Sequence, residues 1–106
     1  MFSSWRHVIM QDADMASIWL RGHEQSDSLS VEDRLRFDLV FSEFVWAYWQ
    51  LWDRARVGVV DRKRGAVAAK IVASKIRSSA VTSEWWETNK ETLGRDFYES
   101  VERALG

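Results

Sequence analysis

Three glutamates near the end of the chain are the carboxylates best spaced to share a metal ion. Glu84, Glu87 and Glu91 follow one another at i+3 and i+4, the spacing that brings side chains to one face of a helix. Di-iron sites in helical bundles combine such carboxylates with a Glu-x-x-His motif, which this sequence does not contain. We therefore expect a solvated acidic face here, and we predict no metal and no cofactor.

The other candidate metal ligands are too sparse or wrongly spaced. His7 and His23 lie far apart, and neither has a second ligand at helical spacing. Asp12 and Asp14 resemble the start of a calcium loop, but the glycine and the terminal glutamate of such a loop are missing. The chain has no cysteine, which excludes thiolate catalysis and Cys-based zinc sites. We expect surface or capping roles for these residues, and a protein that is not an enzyme.

A basic run, Arg62, Lys63 and Arg64, lies at the predicted start of a helix. Positive side chains there oppose the helix dipole and cost roughly 0.3 kcal/mol or more each. A phosphate or anionic headgroup bound at the helix N-terminus would offset that cost, so we predict anion binding by these three residues. The alternative is a solvated face with acidic neighbours from elsewhere in the chain.

The charges of the chain are unevenly distributed, although they almost cancel. Residues 54–77 include eight basic residues and one acidic residue, a net charge of +7, which leaves −8 on the rest of the chain. Nucleic acid is not expected as a partner, because the net charge is −1 and no aromatic residues alternate with the basic ones.

Tryptophan is unusually frequent, with seven residues in 106. These are Trp5, Trp19, Trp46, Trp49, Trp52, Trp85 and Trp86. Most are expected in the core, because an indole buries a large apolar area. Tryptophan is also enriched at protein interfaces and in the lining of pockets, so a partner surface and a ligand pocket both remain as alternatives.

Helix signals cover almost the whole chain, which contains no proline. We predict helices over 3–10, 13–21, 31–57 and 61–78, a short helix carrying Trp85 and Trp86, and a final helix ending near Leu105. Asp12, Ser30 and Asp61 are the expected N-caps, Ser30 within a capping box that includes Asp33. Gly22, Gly58 and Gly94 are the expected left-handed C-caps or connections, and 79–83 is a predicted connection.

The helix over 31–57 is apolar on two opposite sides, so it must be covered twice. One stripe consists of Phe37, Phe41, Phe44, Tyr48, Leu51, Trp52 and Ala55, and the opposite one of Leu35, Leu39, Trp46 and Trp49. We predict a single all-α domain, 1–106, in which about five helices pack around this long central helix. We predict the second stripe to be an interface buried by a two-fold partner.

The order of these signals resembles a family of bacterial all-helical domains. The resemblance rests on residues 14–22 (DMASIWLRG), 29–37 (LSVEDRLRF), the Gly58 turn with Asp61, Trp85-Trp86-Glu87 and Phe97–Val101. It implies a helical fold and no known activity. Members often follow an N-terminal transmembrane helix and a short basic segment, so the chain is expected to be a fragment of a longer protein. The Ala-rich and Lys-rich stretch 66–75 departs from the family pattern, which tends to place a tryptophan there.

Together these features predict a non-enzymatic helical domain for protein interaction or oligomerisation, as a homodimer or with another protein. The alternative is a domain that binds a small apolar ligand between the long helix and the Trp85-Trp86 helix, in a void lined by Trp52 or Trp86. The chain as given is expected in the cytoplasm, and a form carrying an N-terminal anchor is expected at the membrane.

Overall fold

The computed structural model describes residues 13–24 and 29–106, and side chains for 14–23 and 29–106. The described residues form five α-helices and one 3-10 turn and no strand. The helices are α1 (Ala13–Glu24), α2 (Val31–Arg56), α3 (Arg62–Ile76), α4 (Ala80–Asn89) and α5 (Arg95–Leu105), with the 3-10 turn at Lys90–Leu93 between α4 and α5. The predicted all-α fold is confirmed, whereas the predicted helix 3–10 and the Asp12 cap lie outside the described residues.

The long helix α2 organises the fold. Its 26 residues, at a rise of about 1.5 Å each, match the 40 Å longest dimension of the molecule. Ser30 caps it as predicted, because its hydroxyl accepts a hydrogen bond from the Asp33 amide at 3.1 Å. After Arg56 the chain turns at Gly58, whose φ of 87° is one that other residues rarely adopt.

Helix α1 covers the amino-terminal half of α2. Its Met15 and Ile18 are buried, and the Trp19 ring lies 5.6 Å from the ring of Phe37. The prediction that Gly22 ends this helix is wrong, since α1 continues to Glu24. Gly22 lies so close to Phe37 that a Cβ would overlap the ring. Close packing, and not a left-handed turn, therefore requires glycine here.

Helix α3 packs closely on α2 because its inner face is small. That face includes Gly65, Ala68, Ala69 and Ala73, all buried. A Cβ added to Gly65 would lie 2.8 Å from the Cβ of Ala55 on α2. Asp61 caps α3 as predicted, accepting a hydrogen bond from the Lys63 amide at 2.9 Å. On its other side α3 packs against α5, through which Phe97 and Val101 enter the core.

Helix α4 begins within the stretch that we predicted to be a connection. Ser79 and Thr82 form a reciprocal capping box at its start, and the buried Thr82 hydroxyl also donates to the Ile76 carbonyl at 2.8 Å. The prediction of a connection over 79–83 is therefore wrong beyond Ser79. Threonine in place of the usual glutamate or glutamine makes this capping box hard to recognise.

One apolar cluster draws on all five helices. Its largest fully buried side chains are Trp86, Phe37, Phe41, Phe44, Phe97 and Ile18. Three residues of the main stripe of α2 belong to this cluster and two more pack against it: Phe37, Phe41, Phe44, Tyr48 and Trp52. The side of α2 that faces away from the cluster is the subject of the next subsection.

Candidate functional site

The outward side of α2 exposes a row of large apolar side chains. Val31 is 91% exposed, Leu35 61%, Leu39 63% and Trp46 41%. Turning 100° per residue, these four residues fall within a narrow arc of the helix surface, opposite Phe44. We call them the α2 ridge. Three of the four residues were predicted for an interface. Val31, one turn before Leu35, was missed because it was counted only as a residue of the capping box.

Trp49, the fourth predicted interface residue, lies at the edge of the ridge and is partly covered. Its indole Nε1 donates a hydrogen bond to the Leu93 carbonyl at 2.9 Å, so the 3-10 turn covers one side of the ring. The Trp46 ring packs edge-on against Trp49, with 5.2 Å between centroids. Among the described residues, the second stripe is therefore covered only at its carboxyl-terminal end.

Charges of both signs flank the α2 ridge. The Arg36 guanidinium bonds to the Glu32 carboxylate at 3.0 Å, and Glu43 is exposed two turns further along the same flank. On the opposite flank, Arg34 bonds to Asp38 at 3.4 Å and reaches Glu84 of α4 at 2.9 Å. The ridge is thus an apolar strip with mixed charges beside it, the arrangement of a polar rim around an apolar interface centre.

The predicted anion-binding residues all lie at the start of α3, exposed to solvent. The carboxylate of Asp61 already accepts the hydrogen bond from the Lys63 amide. Within 13–24 and 29–106, none of Arg62, Lys63 and Arg64 forms an ion pair. The acidic neighbours of the alternative interpretation are therefore not found among these residues. Of the three, Arg62 lies beside Arg56 and Arg103, which come from other helices.

The remaining titratable candidates have structural surroundings. Glu84 pairs with Arg34 and Glu87 with Lys90, while Glu91 belongs to the 3-10 turn and so leaves the helical face. His23, expected in a surface or capping role, is half-buried, and its Nδ1 lies within hydrogen-bond distance of the Trp19 carbonyl of α1, at 2.8 Å. His7 lies outside the described residues. No group of three potential metal ligands occurs in the part of the chain that the structure describes.

Comparison with known proteins does not change this interpretation. No family model, no curated protein and no solved structure matches the chain. The resemblance to bacterial helical domains therefore stays a prediction. Among the described helices, none is long and apolar enough to cross a membrane.

Proposed function

We propose that this protein is a non-enzymatic interaction domain that self-associates through the α2 ridge. The observation that carries the proposal is the exposure of Val31, Leu35, Leu39 and Trp46 along one side of the longest helix. An isolated exposed apolar residue needs no explanation, but four of them aligned on one side of a helix are typical of a contact surface.

A second copy of the chain is the partner that fits the ridge best. The ridge runs from residue 31 to residue 46, so Leu39 lies near its middle. A two-fold axis beside Leu39 would pair two α2 helices antiparallel, with Leu39 facing Leu39 and Trp46 within one residue of the level of the partner's Val31. Such pairing places a large side chain opposite a smaller one at both ends, as close packing requires.

The flanking charges also suit pairing of identical copies. In an antiparallel pair each flank of α2 meets the same flank of its partner. The flank with Glu32, Arg36 and Glu43 carries both signs of charge, so Arg36 of one copy approaches Glu43 of the other. A block of like charges at the rim would oppose association. Pairing of identical copies does not create one on this flank.

We expect a weak, reversible dimer. The ridge is about 22 Å long at a rise of about 1.5 Å per residue and is one helix wide. An interface of this size falls below the roughly 1,200 Å² of buried surface found in stable complexes. The dissociation constant should therefore lie in the micromolar range or above.

Sedimentation velocity over a concentration series, from low micromolar to submillimolar, tests this proposal. The wild-type chain should shift from monomer to dimer. Leu39→Glu and Leu39→Lys should each be monomeric, because like charges would meet at the two-fold axis. An equimolar mixture of the two variants should form a dimer again, because opposite charges then meet there.

Val67→Glu is the matched control, since Val67 is a 51% exposed apolar residue on α3 and lies outside the ridge. This variant should dimerise like the wild type. A wild-type chain that stays monomeric throughout would refute the proposal. Dimerisation that survives both Leu39 variants, or a mixture that fails to restore it, would refute the two-fold pairing at Leu39.

The alternative function, binding of an apolar ligand beside the Trp85-Trp86 helix, has less support. Both tryptophans are buried in the core cluster. Trp85 donates its indole hydrogen bond to Ser42 at 3.0 Å, and the Trp86 ring packs against Phe97. Their contacts are those of ordinary core residues.

A further inference from the structure

A groove between α3 and α5 brings together basic side chains that are far apart in sequence. Trp52 of α2 is one of its lining residues. Two adjoining hollows, of about 430 and 470 Å³, share four lining residues: Trp52, Ala66, Ser100 and Arg103. Because they share this lining, we treat them as one groove and call it the Trp52 groove.

Small residues form much of the wall of the groove, and Trp52 is partly exposed. The walls of the groove include Gly65, Ala66 and Ala69 of α3 and Ala104 of α5. The Trp52 ring packs edge-to-face with the Phe97 ring, with 5.3 Å between centroids and 74° between the planes. The groove thus combines a partly exposed aromatic side chain with small residues around it.

Four cations line the groove, and no carboxylate does. The cations are Arg56, Arg62, Lys70 and Arg103. Arg56 lies 5.7 Å from the Trp52 ring and is paired with Asp53 at 2.6 Å. The other three form no ion pair among the residues that the structure describes. Arg103 bonds only to the neutral hydroxyl of Ser100, at 3.2 Å.

The like charges repel one another, and an anion between them would relieve that repulsion. A guanidinium binds carboxylate and phosphate oxygens through paired donors, and a flat apolar group packs well on an indole. We propose that the Trp52 groove binds a small organic anion, a carboxylate or phosphate attached to an aromatic or otherwise flat apolar body. Arg62 and Arg103 hold the anionic group, and Trp52 contacts the apolar body.

Two-dimensional NMR with a series of simple probes tests the proposal. 2-Naphthoate should bind with a dissociation constant on the order of 1 mM or tighter, as about 13 non-hydrogen atoms allow at modest ligand efficiency. It should shift the indole signal of Trp52, assigned through Trp52→Phe, and the signals of Ala66 and Ala104. 2-Naphthalenemethanol, the neutral analogue, should bind roughly tenfold more weakly. Inorganic phosphate and naphthyl phosphate then show whether the groove prefers phosphate or carboxylate.

Variants test the role of the two arginines. Arg62→Gln with Arg103→Gln should weaken 2-naphthoate binding roughly tenfold or more. Lys75→Gln with Arg77→Gln removes the same charge from α3 outside the groove and should leave binding unchanged. All four residues are at least partly exposed, so circular dichroism should show folded proteins.

Three results would overturn the proposal. One is equal binding of 2-naphthoate and its neutral analogue, another is an absence of binding, and the third is signal shifts that map away from the groove. The site does not depend on self-association. Leu39→Glu should therefore bind 2-naphthoate like the wild type, and failure of the dimer and failure of the groove can be told apart.

Discussion

At the scale of single residues, Asp38 is an ionisable group whose surroundings shift its pKa. Burial raises the pKa of its carboxyl above the ordinary value, while the adjacent Arg34 guanidinium opposes that rise. Arg34 is shared, because it also bonds to Glu84 at 2.9 Å, and this bond raises the pKa of Arg34. The three side chains join α2 to α4 beside the α2 ridge, and each influences the charge of the others.

Arg34→Gln should raise the pKa of Asp38 further, because the cation that opposes the effect of burial is removed. A carboxyl ¹³C NMR titration measures this shift directly. Arg36→Gln is the control, since Arg36 lies on the same helix but pairs with Glu32, and it should leave the pKa of Asp38 unchanged. An unchanged pKa in Arg34→Gln would show that Arg34 does not influence the carboxyl.

The stability of the fold should follow the same shift. A folded-state pKa above the unfolded value of about 3.9 means that protonated Asp38 favours folding. That contribution is complete below pH 4 or so and is lost as the pH rises through the folded-state pKa. Arg34→Gln should therefore lose stability relative to the wild type as the pH rises from about 4, by less than about 1 kcal/mol because the pair is partly exposed.

At the scale of helices, local sequence signals predicted those boundaries that depend on local bonds. Ser30 and Asp61 cap α2 and α3 through contacts within three residues, and Gly58 has the positive φ that its position after an apolar stripe indicates. The prediction failed at Gly22, where a distant residue decides, and at α4, whose local capping box has threonine in place of glutamate or glutamine. Gly22 is fixed by Phe37, fifteen residues away, and the Ser79 hydroxyl bonds to the Gly22 carbonyl as well as capping α4.

The two candidate sites also differ in how much of each could be predicted from local sequence. Three residues of the α2 ridge follow from the 100° turn of a single helix, so periodicity could predict them. The Trp52 groove could not be predicted, because Arg62 and Arg103 meet only when α3 packs against α5. The basic run at the start of α3 was a visible signal, but nothing in the sequence showed which of its members would gain cationic neighbours.

Gly22→Ala tests whether the close approach of α1 to α2 explains the glycine. Overlap with the Phe37 ring should cost about 1–3 kcal/mol, partly offset by the roughly 1 kcal/mol gained in helix propensity. Phe37→Leu makes room for the new methyl group, so the two changes together should cost less than the sum of their separate effects. Urea denaturation of the wild type, both single variants and the double variant measures this coupling.

Gly58→Ala is the control for this coupling. Nothing lies within 4 Å of a Cβ at Gly58, but its φ of 87° is unfavourable for alanine, at a cost of about 1–2 kcal/mol. Phe37→Leu should not reduce that cost. If the effects of Gly22→Ala and Phe37→Leu simply add, contact with the ring is not the reason for glycine at position 22.

At the scale of the whole molecule, one exposed face carries basic residues that have no acidic partner within the described ranges. Lys63 and Lys70 of α3 and Arg77, which follows its last residue, recur every seven residues and so share one outward face. All three are exposed, and none forms an ion pair within the described ranges. At about 0.1 M salt, interactions between exposed charges are screened beyond roughly 10 Å. This distance is short compared with the 40 Å length of the molecule. A charged surface facing α3 should therefore respond to this face and not to the net charge of −1.

The chain should therefore be retained on a cation exchanger at neutral pH and moderate salt, despite its negative net charge. Lys63→Gln, Lys70→Gln and Arg77→Gln together should abolish retention. Arg21→Gln, Arg36→Gln and Arg95→Gln together change the net charge by the same amount but remove cations that already have acidic partners, so this control should still be retained. Equal elution of the two triple variants would mean that net charge alone governs binding. If the control is retained and the Lys63, Lys70 and Arg77 variant is not, this basic face acts as an electrostatic surface of its own, on a different helix from the α2 ridge.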